Sequence, residues 1–103
     1  MTFGPVPQPW QVAECLVPGM TPAIARFLTD RLWAELARSH DSERVCFLGS
    51  LLMPEDEVLL CLFAGTAAEV RALSERAELP FERILRCDGL DWQMPDPEKG
   101  TPQ

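Results

Sequence analysis

The sequence predicts a single α+β domain with the element order βαββαβ, and three observations carry that expectation. Two apolar runs flank a Pro54-Glu55-Asp56 turn, which is the pattern of an antiparallel hairpin. An apolar repeat at helical spacing precedes the hairpin, and a second one, opened by a T-x-x-E capping box, follows it. A short apolar run at each end supplies the outer strands.

Taken in order, residues 1–9 hold three prolines and no periodicity, so they read as an extended arm. Residues 10–17 (WQVAECLV) suit a strand, which Pro18-Gly19 ends. Thr21 offers an N-cap and Pro22 fits the first helical position. From there Ile24, Phe27, Leu28, Leu32 and Leu36 recur at helical spacing, predicting an amphipathic helix over 22–39. Residues 44–53 (RVCFLGSLLM) and 57–64 (EVLLCLFA) form the hairpin. Thr66 and Glu69 open a second helix over 67–78, with Val70, Leu73 and Ala77 as its core stripe. Leu79-Pro80 breaks it, and residues 82–90 make the fourth strand. Residues 93–103 (QMPDPEKGTPQ) are polar and proline-rich, hence expected to be disordered, which leaves 10–92 as the ordered domain.

This order is the split βαβ, or ferredoxin-like, pattern, with strands expected in the order 4-1-3-2 and both helices on one face. The hairpin strands, however, are apolar at nearly every position. Leu51, Leu52, Met53, Val58, Leu59, Leu60, Leu62 and Phe63 cannot all point under the helices. A sheet apolar on both faces needs a cover on both. The expected second cover is another copy of the chain, giving a homodimer packed sheet to sheet around a cavity.

Composition narrows the partners. The 103 residues suit one domain, the net charge is -7, and among 9 basic residues only Lys99 is a lysine. Nucleic acid needs clustered basic residues, so it is an expected non-partner. No apolar run reaches the roughly 20 residues of a membrane helix, and MTFGPVPQPW lacks the pattern of a secretory signal, so a cytoplasmic location away from membranes is expected. Cys15, Cys46, Cys61 and Cys87 make no CxxC pair or zinc-ribbon spacing.

The stretch FLGSLLMPEDEVLLCLFAG, followed by LPFERIL and preceded by VAECLVPGMTP, resembles a bacterial family of small ferredoxin-like domains that includes nickel-binding proteins. The resemblance covers residues 10–90. It implies Glu14 at the family's acidic position on the first strand and Cys61 at its cysteine on the third. Where the metal-binding branch is similar to V-H-S-Y, this chain reads Leu48-Gly49-Ser50-Leu51, so Gly49 stands in place of the histidine and no tight nickel site is expected. The fold is also similar to that of dimeric α+β barrels, some of which are cofactor-free oxygenases, cyclases or isomerases, while others only bind a small molecule.

Four residues stand out as a candidate site. Glu14 sits mid-strand among positions that favour burial, so it needs a partner or a task, either as a general acid or base or in an ion pair with Arg86. Arg86 in turn could hold an anionic oxygen of a ligand. Cys61 reads as a ligand-contacting residue or as packing, since the single histidine, His40, lies in a polar loop. Trp10 could close one end of the cavity against a flat organic molecule. The leading expectation is a small-molecule-binding dimer, with Glu14 and Arg86 as catalytic residues of a cofactor-free cyclase or isomerase. The alternatives are a nickel-binding accessory protein using Cys61, Glu14 or His40, and an interaction module without a ligand.

Overall fold

A computed structural model describes residues 9–38 and 45–90. Its elements are β1 (Trp10–Leu16), α1 (Pro22–Arg38), β2 (Cys46–Met53), β3 (Val58–Ala64), α2 (Ala67–Arg76) and β4 (Phe81–Cys87). The four strands make one antiparallel sheet in the order β2-β3-β1-β4, which is the ferredoxin-like arrangement expected above. The predicted arm, apart from Pro9, and the predicted tail lie outside the described residues, as do His40 and Trp92.

Local chemistry explains where each element begins and ends. Ile24 N–H donates to Thr21 Oγ1 at 3.2 Å, so Thr21 caps α1. Thr66 and Glu69 form the reciprocal capping box at the start of α2: Glu69 N–H donates to Thr66 Oγ1 while Thr66 N–H donates to the Glu69 carboxylate. The hairpin turn closes through Asp56 N–H to Met53 O and Glu57 N–H to Pro54 O, both at 3.2 Å. At the far end of α2, Arg31 of α1 donates from its guanidinium to the carbonyls of Ala77 and Glu78, satisfying groups the helix cannot. That contact also ties the two helices together.

The core lies between the helices and one face of the sheet. Ala13 and Cys15 of β1 and Leu59, Cys61 and Phe63 of β3 meet Leu28 and Leu32 of α1 and Val70 and Leu73 of α2. The α2 stripe is the one expected. The α1 stripe is rotated: its buried residues are Ala25, Leu28, Leu32 and Glu35, while Ile24 and Phe27 are exposed. Helical spacing of 100° per residue puts Phe27 and Arg31 on a flank of that stripe, where the Arg31 guanidinium stacks 5.3 Å from the Phe27 ring. Glu35 takes a core-edge position because Arg38 and Arg76 donate to its two oxygens, Arg76 at 3.2 Å. The Arg38 hydrogen bond above all, helped by Arg76 and opposed by desolvation, holds the Glu35 carboxyl below the usual carboxylate range.

Candidate functional site

Among the described residues no helix lies on the opposite face of the sheet, and strand register decides which side chains stand on it. Residues paired across antiparallel strands share a face. Trp10 pairs with Ala64 and Cys87, Val12 with Leu62 and Leu85, Glu14 with Leu60 and Arg83, and Leu51 with Leu60. These rows alternate with Ala13–Cys61 and Cys15–Leu59, which point into the helix-side core. The uncovered face is therefore apolar, as the two-sided hairpin pattern required. Leu51 is 67% exposed and Leu16 45%, high values for large aliphatic side chains on a sheet.

A β-bulge shapes this face. Between Phe47 and Gly49 the β2–β3 register shifts by one residue, and Leu48 is the extra one. Gly49 adopts φ +141°, a backbone conformation that side chains with a Cβ rarely take, although nothing lies within 4 Å of where that Cβ would stand. A glycine at position 49 thus suits this backbone. Beside the bulge lies an open depression of about 320 Å³, walled by Val12, Leu48, Leu51, Leu60 and Leu62, with Gly49 and Ser50 completing its lining.

One charged pair stands on the same face. Arg83 Nε donates to Glu14 Oε1 at 2.6 Å; the Glu14 side chain is 20% exposed and that of Arg83 63%. Glu14 pairs with Leu60 and stands two positions from Val12 on the same face, so it neighbours two walls of the depression without lining it. Trp10 stands further along the same face. It is buried against Ala64, Leu48, Leu62 and Cys87, and the chain after β4 passes over it so closely that a Cβ on Gly89 would fall 2.0 Å from the indole. Trp10 therefore closes one end of the face, but through packing and without an exposed ring.

The expected partnership of Glu14 with Arg86 does not form. Arg86 pairs with Gln11 in the ladder, and its guanidinium lies 3.6 Å from Asp88. The reason is parity. Positions 83 and 86 are three apart on one strand, so they point to opposite faces, and only Arg83 shares the face of Glu14. Arg83 is the residue that sequence reasoning missed. The unbroken β1–β4 register from Trp10–Cys87 to Glu14–Arg83 sets that match, and no local signal announced it.

Cys61 is likewise separated from Glu14 by the thickness of the sheet. It is fully buried beside Cys15, and a hydrogen bond shared with Cys15, together with burial, pushes its thiol well above the ordinary range. A thiol held protonated in this way is neither a nucleophile nor a ready metal ligand. Of the nickel set considered from sequence, Glu14 and Cys61 face opposite sides of the sheet, and His40 lies outside the described residues. Among the described residues, no cluster of three histidine, cysteine or carboxylate side chains could hold a metal ion. No helix among them is long and apolar enough to cross a membrane.

No protein-family model matches the chain, and no curated protein does. Among solved structures it is similar to the crystal structure of SCO4226 from Streptomyces coelicolor A3(2), at 20% identity and a TM-score of 0.60. That match covers 73% of this chain and 90% of the other. At such identity the likeness speaks for the ferredoxin-like fold alone.

Proposed function

We propose that the chain works as a homodimer closed sheet to sheet, and that the cavity between the two sheets takes a small organic molecule. The observation that carries this reading is the face where Val12, Leu16, Leu51, Leu60, Leu62 and Leu85 stand in rows with neither α1 nor α2 above them. Leaving a continuous apolar surface of this kind in water is unfavourable, and faces like it mark interaction sites.

The occupant best suited to it is a second copy. The chain carries a net charge of -7, so two copies repel unless they meet where charge is balanced. On this face Arg83 neutralises Glu14, and the strand positions around the pair are apolar. A two-fold contact sets the same patch against itself, which an apolar, locally neutral surface permits without mismatch. Apposition of two such faces would close the depression beside Gly49 from above.

Within that cavity Glu14 is the group fitted for acid–base work. It stands on the same face as the depression, opposite its wall residue Leu60, and is oriented by a guanidinium on the neighbouring strand. Arg83, rather than Arg86, takes the supporting role. The test is Leu51→Arg, which places a charge at an exposed position on the face without touching the helix-side core. It should turn a dimer into a folded monomer with an unchanged circular dichroism spectrum. A variant that keeps the wild-type elution volume on size exclusion would remove the sheet-to-sheet reading.

A further inference from the structure

We infer that the depression beside Gly49 takes a neutral, largely apolar molecule bearing one hydroxyl group, with Glu14 accepting the hydroxyl proton. This rests on the reading of the face as a paired cavity and names the ligand class that cavity would select.

The walls decide most of it. Val12, Leu48, Leu51, Leu60 and Leu62 offer aliphatic carbon and no charge, so a ligand gains by bringing apolar surface to them. A volume of about 320 Å³ lies at the small end of small-molecule sites, roughly 300–1,000 Å³. It suits a molecule of one or two rings.

Charge decides the rest. Arg83 already balances Glu14, so the site has no net charge to offer an ion. An anion would set a second negative charge beside Glu14 and lose its hydration among leucines, and a cation would compete with Arg83 for the carboxylate. A neutral ligand meets neither penalty. Arg83 occupies Oε1, and among the described residues no donor reaches Oε2. Glu14 does not line the depression, but it stands opposite Leu60 and two positions from Val12 on the same face, both of them walls, so a ligand reaching past these side chains meets its carboxylate next. A carboxylate oxygen accepts and does not donate, which selects a hydroxyl over a carbonyl.

Equilibrium dialysis of the full chain against 2-naphthol, naphthalene and 2-naphthoate tests this, with sedimentation run on the same samples. Naphthol should bind about tenfold or more tightly than naphthalene, the weight of a hydrogen bond to a charged group, and naphthoate should bind more weakly than naphthol. In Glu14→Leu the preference for naphthol over naphthalene should vanish. A dimer that binds naphthoate as well as naphthol, or none of the three, overturns the ligand class while leaving the dimer in place. A monomer that still prefers naphthol overturns the dimer and keeps the ligand class, whereas a monomer that binds none overturns both.

Discussion

Glu14 of β1 and Arg83 of β4 meet across the ladder at 2.6 Å, on the one face of the sheet that neither helix covers. Their pairing places a balanced charge in the middle of an apolar surface. It also fixes which arginine of β4 can act with Glu14.

In one copy the pair is open to water, and a wet cavity between two copies keeps it hydrated, so it contributes little to folding. Exposed ion pairs are worth about 0.2–1 kcal/mol, and Arg83 is 63% exposed. Glu14→Gln should therefore lower the melting temperature by less than about 8 °C at this chain length. Differential scanning calorimetry of the two proteins is sufficient. A fall well beyond ten degrees would mean that the pair is dehydrated and structural, and Glu14 would lose its standing as the reactive group.

Acidity should act through Glu35. Its carboxyl is held below the ordinary range, first by the Arg38 hydrogen bond, so in the unfolded chain it takes up a proton at higher pH than in the folded one. The stability it contributes is complete above the unfolded pKa and is lost as pH falls through the folded one. In melting curves taken against pH, Glu35→Gln should differ most from wild type near neutrality. The two curves should converge on acidification, and a constant gap at all pH values would contradict the assignment.

Ser74 lies fully buried on α2, and its hydroxyl has no hydrogen-bond partner among the described residues. Ser74→Ala removes an unsatisfied polar atom and improves helix propensity. Urea denaturation should show the variant as stable as wild type, or more stable by up to about 1 kcal/mol. A loss of that size would show instead that the hydroxyl is satisfied.

Much of the fold was legible because short-range chemistry specifies it. Thr66 with Glu69, Thr21 before Pro22, and Pro54-Glu55-Asp56 each fix a boundary within a few residues. The uncovered face was legible too, since a hairpin apolar at every position must show apolar side chains on both sides. Less legible were quantities that depend on distant strands. Apolar spacing marks a stripe on α1 without fixing its centre, so Ile24 and Phe27 were expected in the core although Ala25 and Glu35 occupy it. The same all-apolar pattern hid parity, leaving Cys61 and Glu14 on opposite faces. Arg83 and Arg86 were indistinguishable without the β1–β4 register, which pairs Gln11 with Arg86 and Glu14 with Arg83.

The central claim is that two copies meet on the face holding Glu14 and Arg83. Sedimentation equilibrium at micromolar concentration measures it directly. The expected result is a single species of twice the 11.5 kDa chain mass. A species of 11.5 kDa across the concentration range would contradict it, leaving Leu51, Leu60 and Leu62 facing water with no second copy to cover them.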